Sequence, residues 1–195
     1  QTKPAKFLLL GIVAFFSILI PGFFVIVITL SDKKIYSLAN IEQITNITVI
    51  GNIIQSTIKT KIHVFDFPQS PIAECFRTLY TFIKHYKENK NCQTILFTSS
   101  IKGEGKSFNA LNSACTHALL KKKTVIIEFD LRKPKLSKDL NLKNNIGLSA
   151  FLSNQVELVE IIRQTSIPNL DIISSGVIPP NPLELIASMR CTKLM

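Results

Sequence analysis

The chain has 195 residues, room for one ordinary domain with a tether and not for two full domains. Lys and Arg number 23 against 13 Asp and Glu, a formal net charge of +10. The basic residues come in short groups such as Lys121, Lys122 and Lys123, not in one long stripe, which argues against nucleic acid and for anionic ligands or membrane lipid. Cys75, Cys92, Cys115 and Cys191 form no Cys-x-x-Cys pair, and His63, His85 and His117 lack metal-ligand spacing. That excludes a disulfide scaffold, a metal site built from protein ligands alone and a catalytic cysteine.

In chain order, residues 7–30 come first: 24 residues without a charge. A helix of that length spans about 36 Å, against a hydrocarbon core of roughly 30 Å. Pro21 and Gly22 lie inside the run, where a membrane helix tolerates them. A signal peptide has a shorter apolar region and a small-residue cleavage site, and neither fits here. Lys3 and Lys6 flank one end, Lys33 and Lys34 the other, so the basic residues hardly decide orientation. Residues 31–70 read as a linker, in which ITVIGNI (47–53) is expected as a short strand turning at Gly51 and Asn52. A helix is expected over 71–90, with Pro71 in its first turn, Ile72, Phe76, Leu79 and Ile83 on one face, and a stop at Asn91.

The TILF run (94–97) predicts a strand, followed by a glycine-containing loop and a helix over about 106–120. A second strand is expected over 124–129, helical stretches near 149–153 and 156–164, a third strand over 170–174, a proline-rich loop (177–182) and a helix over 183–194. The strand runs lack alternation, as parallel strands covered on both faces do. The order predicts an α/β fold with a parallel sheet of the P-loop type, preceded by one transmembrane helix.

The chemistry concentrates in TSSIKGEGKSFNA (98–110). Gly103, Gly105, Lys106 and Ser107 match the end of the P-loop pattern; Ser100 stands where its first glycine would be. Glycines let successive backbone N–H groups face an anion, and the helix beginning near Lys106 turns its positive dipole end to the same place. Lys106 can reach β- and γ-phosphates, and the Ser107 hydroxyl can ligate Mg²⁺. The candidate cofactor-binding residues for ATP are Ser100, Gly103, Glu104, Gly105, Lys106, Ser107 and Phe108. In VIIEFDLRKPKL (125–136), Asp130 lies 24 residues after Lys106, the length of a helix and a returning strand. Glu128 and Asp130, spaced to project the same way along a strand, could hold Mg²⁺ or take a proton; Arg132 and Lys133 add positive charge. A solvated turn of salt-bridged charges explains the same spacing equally well.

At these residues the chain resembles the bacterial tyrosine kinases, the cytoplasmic part of the polysaccharide co-polymerases of capsule and exopolysaccharide export. SSIKGEGKS resembles the family's Walker A, and VIIEFDLRKP its Walker A′, which ordinarily reads Asp-x-Asp-x-Arg; Glu128 takes the place of the first acid. GLSAFL (147–152) and LDIISSGVIPPNPLEL (170–185) resemble further stretches of the family, and the apolar span with ITVIGNI resembles its second transmembrane helix and the juncture with the kinase domain. Glu74, Arg77 and Tyr80 resemble Glu-x-x-Arg-x-x-Arg, through which kinase subunits pack into a ring, with Tyr80 replacing the second arginine.

The resemblance implies ATP and Mg²⁺ as cofactors, a homo-oligomeric ring, and the polysaccharide polymerisation and export machinery as partner. It implies catalytic roles for Lys106, Asp130, Glu128 and Arg132, magnesium at Ser107 and Asp130, and oligomer contacts at Glu74 and Arg77. It places the carboxyl-terminal part in the cytoplasm and the span in the bacterial inner membrane. The expected organisation is the end of a periplasmic region (1–6), the span (7–30), a juxtamembrane linker (31–70) and a kinase domain (71–195). That domain is expected to be truncated before the family's Walker B strand and its tyrosine-rich tail; the tyrosines here are Tyr36, Tyr80 and Tyr86. Two other readings remain: a P-loop ATPase switch without tyrosine transfer, and a nucleotide-binding or non-enzymatic chain-length scaffold. Ile101, where partitioning ATPases carry an extra lysine, weighs against the switch.

Overall fold

The structure is a computed structural model that describes residues 4–31, 41, 45, 47–56, 58–85 and 92–194. Lys3, Lys33, Lys34, Tyr36, Tyr86 and the expected helix stop at Asn91 lie outside the described residues. The chain divides into two compact units, residues 1–49 and 50–195.

The first unit is built on helix α1 (Pro4–Ser31), 28 residues with Pro21 inside. Among the described residues it is the one helix long and apolar enough to cross a membrane. Its side chains from Phe7 onward are exposed. Two of its hydroxyls bond back to the helix: Ser17 Oγ donates to Ala14 O at 2.8 Å and Thr29 Oγ1 to Val25 O at 2.9 Å, so neither needs water as a partner.

The second unit opens with residues 50–56 in irregular backbone; the strand expected at 47–53 does not form, since no ladder partner lies beside it among the described residues. Four short-range elements follow: α2 (His63–Asp66), α3 (Pro71–His85), α4 (Lys106–Leu119) and strand β1 (Thr124–Ile127). The face read for α3 is the buried one: Ile72, Phe76 and Leu79 are in the core and Ile83 packs against it. The linker reading of 31–70 overlooked α2, which docks on α4 through Asn112. The buried Asn112 accepts the Val64 N–H at 3.1 Å and donates to Lys61 O and Phe108 O, each at 2.9 Å.

Helices α5 (Leu136–Asp139), α6 (Leu148–Leu152) and α7 (Leu158–Ile161) lead to strands β2 (Ile162–Gln164) and β3 (Leu170–Ile173), then to α8 (Pro182–Ile186) and α9 (Met189–Leu194). The sheet order is β1-β3-β2. β1 pairs with β3 in parallel, Thr124 opposite Leu170 and Ile127 opposite Ile173, whereas β2 pairs antiparallel, Ile162 opposite Ile173. The sheet is therefore mixed, not purely parallel. The helix read over 156–164 stops at Ile161 because the chain must turn back: Thr165 N donates to Leu170 O, and Asn169 takes a left-handed φ of 64° before β3.

The strand expected at 94–97 is absent: residues 92–99 are irregular and Leu96 is 81% exposed. Apolar composition alone makes no strand, because its N–H and C=O groups need a neighbouring ladder, and among the described residues none runs beside this segment. The last expected helix is two pieces. Arg190 of α9 donates to Phe151 O at 2.9 Å and Val156 O at 3.0 Å and lies over the Phe151 ring, which anchors α9 to the 151–156 segment.

Successive β3 side chains enter different cores. Ile172 joins the cluster of Val64, Phe76, Leu111 and Cys115; Ile173 joins Leu131, Leu148, Phe151 and Ile161. The sheet is thus covered on both faces, as its non-alternating runs indicated. Burial, reinforced by the Asp66 carboxylate, pushes the Cys115 thiol up to about 12 from 9.0. The unfolded thiol ionises above 9.0 while the folded one does not, so stability should fall as pH rises from about 9 to about 12. Denaturant midpoints across that window should fall more steeply in the parent than in Cys115→Ala, and a thiol reagent at pH 8 should label Cys92 and spare Cys115 until the chain unfolds.

Candidate phosphate-binding site

α4 sets the geometry of the site. Asn169, just before β3, donates to Ala118 O near the carboxyl end of α4, and Thr124 N donates to Asn169 O at 2.9 Å. β1 and β3 therefore start at the carboxyl end of α4 and run back toward its amino end. The phosphate loop, the residues after β1 and the residues after β3 share one end of the unit, the usual place for a ligand in a doubly covered sheet.

The loop has the backbone that an anion needs. Gly103 and Gly105 take φ values of 101° and 90°, which side-chain-bearing residues rarely adopt. Gly105 caps α4, whose first residue is the exposed Lys106. Among the described residues, no protein acceptor takes the N–H groups of Gly103, Glu104 or Gly105. Nothing lies within 4 Å of the Cβ position of Gly103, and the residue is exposed. This loop fits a phosphate at the amino terminus of a 14-residue helix.

Two of the expected contacts are built differently. The Glu104 carboxylate folds back inside the loop, Oε2 accepting the N–H of Ser100 at 3.0 Å and of Ile101 at 3.3 Å. Ser100 and Glu104 thus brace each other. Phe108 is half-buried behind the loop, its ring 5.8 Å from that of His63 and 6.0 Å from that of Phe76. Ser107 is half-buried at the start of α4.

Beyond β1 the two acids part company. Asp130 is exposed, its Oδ1 accepting the Lys133 N–H at 3.0 Å, and Arg132 is exposed beside it, with Leu131 between them buried in the second core. Glu128 is 3% exposed. Its Oε1 accepts the N–H of Lys135 and, at 2.6 Å, of Leu136; its Oε2 accepts the Ser175 N–H at 3.4 Å. β1 ends at Ile127 and its last ladder bond is Glu128 N–H to Ile173 O at 2.9 Å; the turn that follows, closed by Leu131 N–H to Phe129 O, carries Asp130 out to the surface. On α3, Glu74 and Arg77 pair with each other at 2.7 Å on the surface, and Arg77 also donates to Pro68 O at 2.5 Å.

Sequence reasoning passed over the block that closes this end. Asn144 Oδ1 accepts the Gly176 N–H at 2.8 Å, and its Nδ2 donates to Ser175 Oγ at 3.1 Å and Gly176 O at 2.9 Å. Ser149 Oγ donates to Val177 O at 2.8 Å. Gly147 and Gly176 meet backbone to backbone, a signal that the two glycines in otherwise apolar stretches carried.

A mixed sheet covered on both faces, with a glycine-shaped loop opening a helix at the carboxyl end of β1 and β3, resembles the α/β domains of the P-loop class. No family model matches the chain. The chain is 38% identical over 136 residues to Staphylococcus aureus CapB, whose name places it among the tyrosine-protein kinases; the match covers 70% of this chain and 59% of CapB. It is 36% identical over 121 residues to the tyrosine-protein kinase YwqD of Bacillus subtilis, covering 62% of this chain and 51% of YwqD. The crystal structure of the chimerical protein CapA2B2 superposes with a TM-score of 0.73 at 36% identity, covering 81% of this chain and 68% of that one. The chain belongs to the bacterial tyrosine-protein kinase family, and it spans roughly half to three-fifths of the length of these curated relatives.

The close approach of two loops at this end yields a direct test. A Cβ on Gly147 would stand 2.2 Å from Ser174 O and 2.5 Å from Gly176 N, both backbone atoms that cannot swing away. Gly147→Ala should lower stability by about 3 kcal/mol. A urea midpoint equal to that of the parent would contradict the packing.

Proposed function

We propose that the chain carries the nucleotide site of a membrane-anchored, ATP-dependent protein-tyrosine kinase, which autophosphorylates between neighbouring subunits and regulates capsular or exopolysaccharide polymerisation and export. The observation that carries the reading is the loop 100–107: two left-handed glycines, unclaimed amides and an exposed lysine at a helix amino terminus, with Asp130 and Arg132 exposed at the same end. In this reading the amides of residues 103–107 cradle the phosphates, Lys106 neutralises the β- and γ-phosphates, and Arg132 adds positive charge where the transferred group leaves.

A Mg²⁺ ion bound with the nucleotide would supply charge neutralisation on the phosphate oxygens. Among the described residues no three His, Cys, Asp or Glu side chains cluster to hold a metal. The donor set at this end, the Ser107 hydroxyl and the Asp130 carboxylate, suits Mg²⁺, which binds through one or two protein oxygens plus phosphates and water.

Residues 7–30 are the proposed span in the inner membrane, 31–70 the juxtamembrane linker and 71–195 the cytoplasmic kinase domain, since the loop needs cytosolic ATP. The self-paired Glu74 and Arg77 are the proposed ring contact: an exposed pair contributes at most about 1 kcal/mol, so it can be exchanged for a pair across a subunit boundary at little cost. In the full-length protein, Lys106→Met should lower tyrosine autophosphorylation by at least about a hundredfold, read by phosphotyrosine detection with labelled ATP. ATP hydrolysis by the parent with no phosphotyrosine would sink the kinase reading in favour of an ATPase switch. Normal polymer length in a Lys106→Ala strain would favour a scaffold.

A further inference from the structure

A carboxylate removed from water needs its lone pairs occupied, and Glu128 has them occupied by backbone from two distant loops. Oε1 takes the adjacent amides of Lys135 and Leu136, at the end of the β1–α5 connection, and Oε2 takes the amide of Ser175, just past β3. The side chain is 3% exposed, and no hydrogen bond joins it to the phosphate loop among the described residues.

The loop that Glu128 closes on itself, residues 129–134, holds Asp130 and Arg132. Inside it, Leu131 is sunk into the second core and Asp130 turns the backbone by accepting the Lys133 N–H. On its other side, the Ser175 segment is stitched to the 144–149 turn by Asn144 and Ser149. Glu128 is thus the link between the loop that presents Asp130 and the block that closes this end of the sheet.

We propose that Glu128 is a positioning residue: its buried carboxylate ties the β1–α5 loop to the loop after β3, fixes where Asp130 and Arg132 stand, and ligates no cation. The assignment of work to Asp130 rests on the kinase reading above; the tie itself does not. Side-chain length is part of the case. An aspartate carboxyl ends one carbon–carbon bond, about 1.5 Å, short of the three amides. Glutamine keeps the length but turns an NH₂ toward a backbone N–H, so one of the two attachments is lost.

Residue-resolved hydrogen exchange on the full chain in a lipid nanodisc decides the tie. Glu128→Gln should raise exchange by about tenfold at the Ser175 amide or at the Lys135 and Leu136 pair, and Glu128→Asp at all three, with the β1–β3 ladder amides unchanged. Unchanged protection at the three amides, or an equal rise throughout the ladder, would overturn it. In phosphate-transfer assays on the full-length protein, Asp130→Asn should raise the half-saturating Mg²⁺ by about tenfold, while Glu128→Gln lowers kcat by about tenfold at an unshifted Mg²⁺ requirement. A Glu128→Gln shift matching that of Asp130→Asn would make Glu128 a ligand and refute the proposal. A parent that transfers no phosphate to tyrosine sinks the kinase reading, and the exchange result then decides the tie alone.

Discussion

The folded unit hangs on β3. This four-residue strand pairs with both neighbours, β1 in parallel and β2 antiparallel, and is the one of the three whose backbone is laddered on both edges. Its side chains divide the interior: Leu170 and Ile172 face the cluster beneath α3 and α4, and Ile173 faces the cluster beneath α6 and α7. Burial of these residues, each 2% exposed or less, couples the two cores through one stretch of backbone. Everything at the site is placed relative to the carboxyl end of that strand.

From there the site is held by polar contacts in a dry setting. Ser175 is tied to Glu128, Gly176 to Asn144, and Val177 to Ser149, so the chain leaving β3 has little freedom until the proline-rich stretch. Unmade hydrogen bonds are costly in such surroundings, which makes each contact a constraint on the loops next to it. The phosphate loop is the opposite case. The amides of residues 103–105 have no protein acceptor among the described residues, and one internal carboxylate, that of Glu104, shapes its entry. A rigid wall beside an open cradle suits a ligand whose charge is concentrated on one group.

Several features are legible in the order of residues alone. The apolar span, the α3 face, the helix opening at Lys106 and the runs at 124–127 and 170–173 follow from local rules: length without charge, spacing of three and four, and a glycine before a helix. The Gly-x-Gly-Lys-Ser spacing located the cradle because the required backbone angles belong to glycine itself. Other features escaped the same rules. TILF has strand composition and forms no strand, ITVIGNI likewise, and residues 162–164 pair in a direction that no local pattern encodes.

The sequence by itself determined what each segment can do: which residues avoid water, which can bend backward, and which carry charge at a helix terminus. Those properties reside in single side chains and their near neighbours. Tertiary structure alone decided the direction of β2, the docking of α2 on Asn112, and the different surroundings of Glu128 and Asp130. Two acids two positions apart look alike in a sequence. They differ because the chain leaves β1 between core and solvent, and amides contributed from positions 135, 136 and 175 reach only one of them.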